Sequence, residues 1–251
     1  MATSLIEFEH VTAGYTPSLT ILNDLTLDAR EREITLLIGP NGAGKSTVLK
    51  TLFGVIAPRS GEIRFEGKAI SGKSPRDLLA EGIVFVPQGR NLFPSLTVLH
   101  NLQLGGITLA KPVLAERIEE VLARFPRLRE RIDSQASTLS GGEQKQLEIG
   151  RALLLRPRVI LIDEPSIGLS PKISRDVLSL LRQLADGGTT IVIVEQNVRS
   201  ALGIADRALV LESGRLALDR PASELLKDPG LNRLFLGGHA PAPRHPEARI
   251  A

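Results

Sequence analysis

The sequence predicts an α/β fold on a mainly parallel sheet, with helices on both of its faces. Three observations carry this. Short continuous apolar runs recur along the chain, amphipathic helical stretches lie between several of them, and only the N-terminal part shows the alternation of half-exposed strands. "LIEFEHV" (5–11) and "GEIRFEGKAI" (61–70) alternate apolar with polar residues, giving an N-terminal antiparallel β portion. "EITLLIG" (33–39) is apolar throughout, as a strand covered on both sides is. "GIVFVP" (82–87), "RVILID" (158–163), "TTIVIVE" (189–195) and "RALVLESG" (207–214) repeat that type. "KISRDVLSLLRQLADGG" sets Ile173, Val177, Leu180, Leu181 and Leu184 on one helical stripe and stops at Gly187 and Gly188. Residues 90–156 read as helix and loop without a strand, a helical subdomain inserted into the core. The Pro- and Ala-rich stretch 237–251 lacks periodicity and is expected to be a flexible tail.

The totals narrow the function classes. With 42% hydrophobic and 24% charged residues, the chain matches neither disordered nor fibrous classes. A formal charge of +3, evenly spread, gives no reason to expect a nucleic-acid partner. The absence of cysteine excludes disulfides and thiolate metal sites. "MATSLIEFEHV" lacks the basic start and apolar stretch of a signal peptide, and no apolar run approaches the roughly 20 residues that span a bilayer. Any link to a membrane is therefore expected to run through a partner.

"GPNGAGKST" comprises Gly39, Pro40, Asn41, Gly42, Ala43, Gly44, Lys45, Ser46 and Thr47, follows a buried strand and opens a helix. That context makes it a phosphate-binding loop of a P-loop NTPase core. Its glycines let backbone N–H groups face the β- and γ-phosphates of ATP, Lys45 adds positive charge, and the Ser46 hydroxyl suits Mg²⁺. "VILIDEP" (159–165) supplies Asp163 for the Mg²⁺ environment and Glu164 to polarise the attacking water. "LSGGEQ" (139–144) has two readings. Ser140 and Glu143 form a capping box, yet capping does not require Gly141 and Gly142 in the first turn, where each costs up to about 1 kcal/mol. An anion-binding helix start is the sharper reading.

With these motifs in order, residues 5–236 resemble the nucleotide-binding subunits of ABC transporters. The resemblance implies a nucleotide-binding domain over residues 1–236 that meets a second related ATPase head to tail, Ser140, Gly141 and Gly142 of one facing the phosphate loop of the other across ATP. It implies that Gln88, in "VPQG", joins core to helical subdomain and reaches Mg²⁺. It implies that Tyr15 stacks on adenine, although an ordinary turn aromatic in "GYTPS" also accounts for it. Residues 90–105 sit where relatives meet membrane permeases, with Phe93 and Leu96 as candidate contacts or as plain subdomain packing. "VPQGRNLFPSLTV", "DEPSIGLSP" and "RLFLGG" are similar to the ATPase of importers for branched-chain and other hydrophobic amino acids, and also to that of importers for urea and short amides. Such an ATPase lies on the cytoplasmic face of the cell membrane, peripheral through its permeases, with an extracytoplasmic solute-binding protein as an indirect partner.

Other classes fit less well. A soluble ABC machine of chromosome or repair type would carry a long heptad insertion, a translation factor two motif sets, and a GTPase an N-K-x-D reader. A subunit that binds ATP as dimer glue without hydrolysing it stays open because of the polar strand end in "TTIVIVEQNV" (189–198), and two positions depart from the common pattern. Ser170 stands where most relatives have Asp, and Gln196 stands where most have His. The resemblance makes Gln196 the γ-phosphate sensor, as a neutral donor and acceptor. Glu195 and Asn197 are expected to anchor the strand end and cap the segment after it.

Overall fold

The computed structural model describes residues 4–89 and 91–227. From the N-terminus the elements are β1 (Ser4–Ala13), β2 (Leu22–Arg30), β3 (Ile34–Ile38), α1 (Lys45–Leu52), β4 (Ser60–Phe65), β5 (Lys68–Ala69), α2 (Pro75–Ala80) and β6 (Ile83–Val86). Four helices come next: α3 (Val98–Gly105), α4 (Lys111–Arg124), α5 (Pro126–Glu130) and α6 (Gly141–Leu153). The remainder is β7 (Val159–Asp163), α7 (Pro171–Asp186), β8 (Thr190–Val194), α8 (Val198–Leu202), β9 (Arg207–Glu212), β10 (Arg215–Pro221) and α9 (Ala222–Leu225).

The continuously apolar runs pair as buried parallel strands do. A six-stranded sheet has the order β10-β9-β3-β8-β7-β6; β9, β3, β8, β7 and β6 are parallel, and β10 closes one edge antiparallel to β9. Every residue of β3, β7 and β8 is buried. The fold is that of a P-loop NTPase core.

The side chains of this sheet alternate between two cores. Ile34, Leu36, Ile160, Ile162, Ile191 and Ile193 join a cluster with α3, α4 and α6 to α9. Leu37, Leu161, Val192 and Val194 point the other way, into a cluster with α1 and the strands β1, β2 and β4. The second face is thus covered by α1, by Leu78 of α2 and by an antiparallel sheet of order β2-β1-β4-β5, not by helices alone. Two further differences from the sequence reading are local. The run 61–70 is a hairpin rather than one strand, because Glu66 (φ 53°) and Gly67 (φ 72°) turn the chain between β4 and β5. Strands β2 and β10 go beyond the sequence reading. β10 is largely exposed, so its side chains give no buried-strand signal.

Between β6 and β7 the described residues form helices and no named strand, joined by one isolated bridge, Thr97 to Gln135. α7 carries the expected stripe, with Val177, Leu181 and Leu184 buried and Ile173 and Leu180 packed beside them, and its C-cap is Gly187. The stretch 237–251 and the "RLFLGG" segment lie outside the described residues.

Candidate nucleotide-binding and hydrolytic site

Four neighbouring strand ends deliver the site. In spatial order β3, β8, β7 and β6, their C-terminal ends lead into Gly39, Gln196, Asp163–Glu164 and Gln88. Ligands bind at this end of open α/β sheets, so the topology gathers residues that lie far apart in sequence.

The loop 39–44 needs its glycines for space as well as for dihedrals. A Cβ on Gly39 would lie 2.2 Å from the Leu211 carbonyl oxygen, and Gly44, at φ 102°, forms the N-cap of α1. Gly214 donates its N–H to the Ala43 carbonyl at 3.0 Å, tying the loop to the turn after β9. Pro40 and Asn41 lie in this loop, and Thr47 is buried on α1. Lys45 Nζ donates to the Gly39 and Pro40 carbonyls at 2.9 and 3.0 Å. Burial pushes the Lys45 ammonium below the usual lysine range, with Glu164 and Asp163 opposing. Ser46 Oγ donates to Asp163 Oδ1 at 3.1 Å, and burial pushes the Asp163 carboxyl up. Two hard oxygens in contact beside an N-terminal helix turn fit Mg²⁺, which takes one or two protein oxygens and completes its shell with phosphate and water.

Glu164 leaves β7 with φ 47°, in the left-handed region, while its N–H donates to the Val194 carbonyl at 2.9 Å. Its Oε2 accepts from Gln88 Nε2 at 2.7 Å and from Gln196 Nε2 at 2.9 Å. Oε1 has no hydrogen-bond partner among the described residues. Glu164 is buried at 8% exposure, so the two amides hold its carboxylate where bulk water does not.

The three polar residues after β8 have separate tasks. Glu195, 2% exposed, accepts from the Ser166 N–H and the Ser166 hydroxyl, each at 2.8 Å, and from the Gln196 N–H at 3.1 Å. It staples the turn after Glu164 to the strand end, and burial pushes its own carboxyl up. Asn197 Oδ1 accepts from the Ser200 N–H at 3.2 Å and caps α8. Ser170 caps α7.

At α6, Ser140 Oγ accepts from the Glu143 N–H at 3.3 Å and Glu143 Oε2 accepts from the Ser140 N–H at 2.8 Å. This is the full capping box, and the backbone hydrogen bond holds the Glu143 carboxyl below its usual range. The glycines also answer to packing: a Cβ on Gly142 would lie 2.8 Å from Ile173 Cγ2 of α7. Among the described residues no hydrogen bond links Ser140, Gly141 or Gly142 to the chain's own phosphate loop. Tyr15, 52% exposed, borders a hollow of about 660 Å³ with Lys50 and Arg59. Lys50 Nζ donates to its hydroxyl at 3.2 Å and stands 5.4 Å from the ring centroid. Arg59 braces the turn after Tyr15 by donating to Thr20 Oγ1 and the Leu19 carbonyl at 2.7 and 2.9 Å, and to the Thr16 carbonyl. Sequence reasoning missed Lys50 and Arg59, which no spacing motif marks.

This arrangement pairs a glycine-shaped anion loop with a hydroxyl–carboxylate pair and a positioned second carboxylate. It can hold a triphosphate and deprotonate a water in line with it. Residues 22–167 match the ABC transporter family. The chain is 42% identical to the high-affinity branched-chain amino acid transport ATP-binding protein BraG of Pseudomonas aeruginosa, over 93% of this chain and 100% of that one. It is 40% identical to a probable branched-chain amino acid transport ATP-binding protein of Archaeoglobus fulgidus, over 90% and 95% of the two chains. A solved ATP-binding cassette of an ABC transporter in its ADP conformation superposes with a TM-score of 0.84 at 28% identity, covering 94% of this chain and 99% of that chain.

Proposed function

The chain belongs to the ABC transporter family, as an ATPase cassette that binds nucleotide, and from that membership we propose that it powers an importer of branched-chain, hydrophobic amino acids. The observation that carries the hydrolytic part is Glu164, buried, with Oε2 held by Gln88 and Gln196 and Oε1 open. In this reading Glu164 accepts a proton from the attacking water as the water oxygen bonds to the γ-phosphorus. The bond from that phosphorus to the bridging oxygen breaks, and ADP leaves with the electron pair. Lys45 and the loop N–H groups neutralise the β- and γ-phosphates. Bound Mg²⁺ supplies further charge neutralisation, and Ser46 and Asp163 are the residues that would hold it, with Gln88 within the same group. Tyr15 takes the adenine.

A second, related ATPase is proposed as the head-to-tail partner, its ATP completed by Ser140, Gly141, Gly142 and Glu143 of this chain, with two permeases as membrane partners at the cytoplasmic face. Among the described residues no helix is long and apolar enough to cross a membrane. Closure on ATP and reopening after hydrolysis would drive the permeases between two states. Glu164→Gln is expected to cut ATP turnover of the assembled transporter by about 10²-fold or more while ATP still binds. An unchanged rate refutes the base assignment. Uptake of radiolabelled leucine, isoleucine and valine against urea by the reconstituted assembly tests the substrate, and uptake of urea alone refutes it.

A further inference from the structure

The turn that carries Tyr15, residues 14–20 between β1 and β2, is folded around a side chain from elsewhere in the chain. Arg59, directly before β4, donates from Nη1 to Thr20 Oγ1 at 2.7 Å, and from Nη2 to the Leu19 carbonyl at 2.9 Å and to the Thr16 carbonyl. Its backbone N–H donates to the Thr12 carbonyl at 2.7 Å, which fixes where the side chain starts. The fit is close: a Cβ on Gly14 would lie 1.9 Å from the Leu19 carbonyl oxygen and 2.9 Å from Arg59 Nη2. Among the described residues, no other side chain from outside the turn hydrogen-bonds its backbone.

Residues 15–20 are all exposed, so the turn adds nothing to either core, and hydrogen bonds rather than packing set its shape. Arg59 meets no carboxylate among the described residues, and its guanidinium is committed to neutral oxygens of three different residues. The planar fork holds those oxygens apart at fixed positions, which an ammonium on a flexible stem does not do. Core stability gives no reason for this arrangement. The residue that the turn presents does, because Lys50 meets the Tyr15 ring at its hydroxyl, while the turn sets where that ring leaves the backbone.

We propose that Arg59 is a positioning residue for nucleotide binding: it holds the turn 14–20 in one shape, so that the Tyr15 ring is in place before the base arrives. The inference rests on the reading of Tyr15 as the adenine contact. A site ordered in advance binds more tightly, because the cost of ordering does not fall on the binding step. Without Arg59 the oxygens of Thr16, Leu19 and Thr20 turn to water, the turn takes other shapes, and ATP must collect them. The loop 39–47 keeps its hold on the phosphates throughout, so the effect belongs to affinity for the whole nucleotide and not to the chemical step.

Titration of the full-length protein with ATP and, separately, with inorganic tripolyphosphate tests this, together with kcat and KM in turnover. Arg59→Ala removes the fork at an exposed position, and Arg59→Lys keeps the charge without it. Both variants are expected to bind ATP about tenfold more weakly and to raise KM to match, with kcat within about twofold of wild type. Their affinity for tripolyphosphate is expected to stay within about twofold, which also shows that they fold. In a Tyr15→Ala background, Arg59→Ala is expected to weaken ATP binding by less than about twofold further, since the two act as one unit. Wild-type ATP affinity in Arg59→Lys reduces the role to charge and overturns the proposal. Unchanged ATP affinity in Arg59→Ala, an equal loss for tripolyphosphate, or a full repeat of the tenfold loss without Tyr15 overturns it as well. Wild-type ATP affinity in Tyr15→Ala defeats the adenine reading instead, so the two failures are distinguishable.

Discussion

Gln196 and Gln88 load the same oxygen of Glu164, at 2.9 and 2.7 Å, and leave the other without a partner among the described residues. A glutamine amide stays neutral across the physiological range, so Gln196 orients the carboxylate without adding charge. Gln196→His would place a group titrating near pH 6.5 at this point, able to donate with charge assistance. Turnover at this chain's own phosphate loop is expected to rise, by more at pH 6 than at pH 8. Measured in single-site hydrolysis, equal rates in the variant and the wild type refute the idea that Gln196 slows this site. The contact of Ser46 with Asp163 was legible in part: a fixed spacing behind a buried strand marks Lys45 and Ser46, while an Asp at a strand end is common and gains weight only beside that loop. Glu143 and Gly142 were less so. The glutamate completes its own cap and the glycine admits Ile173, so two ordinary structural needs overlie whatever the helix start does for phosphate.

At the scale of elements, Arg207 joins the two sheets. Its guanidinium, on β9, donates to both carboxylate oxygens of Asp28 on β2 at 2.8 Å, to the Asp28 carbonyl at 3.1 Å, and to Asp219 Oδ1 on β10 at 2.5 Å. The hydrogen bonds from Arg207 hold the Asp28 carboxyl below its reference value of 3.8. A depressed carboxylate stabilises the fold above the unfolded value and loses that contribution as pH falls through the folded one. Asp28→Asn is therefore expected to cost about 1–2 kcal/mol at pH 7, less than a fully buried pair because Asp28 is one-third exposed. Urea unfolding should show the gap from wild type shrinking below about pH 3.8 and closing once Asp28 is protonated. A gap that persists undiminished refutes the clamp. The strands of the parallel core were readable from their apolar runs. The antiparallel cover on the second face was readable only in part, because β2 alternates over a stretch interrupted by register shifts against β1.

At the scale of the molecule, the proposed nucleotide site draws on both cores. Tyr15 and Arg59 belong to segments flanking the antiparallel sheet, while Lys45, Glu164 and Gln196 extend from the parallel one. A ligand that binds only the folded chain stabilises it by about 2.7 kcal/mol at a hundred times its Kd, which for a chain of this size raises Tm by roughly 5–10 °C. ATP should produce such a shift in the wild type, and Lys45→Ala should abolish it; a shift retained in that variant refutes the phosphate-loop assignment. The link between Asn91 and α6, from its N–H to Glu148 Oε1 and to its carbonyl from Arg151 Nη1, escaped the sequence for a plain reason: both hydrogen bonds use backbone atoms of Asn91, which every residue carries. Its geometry sets a limit on reach. Three peptide steps separate Gln88 from Asn91, a leash of at most about 11 Å when taut. α6 can swing freely only while there is slack; beyond that one end must let go, and the weaker grip is the single hydrogen bond from Gln88 Nε2 to Glu164, against the two that hold Asn91 to α6. The length of this leash limits how far α6 can stand from Glu164 before one of the hydrogen bonds along the way is lost.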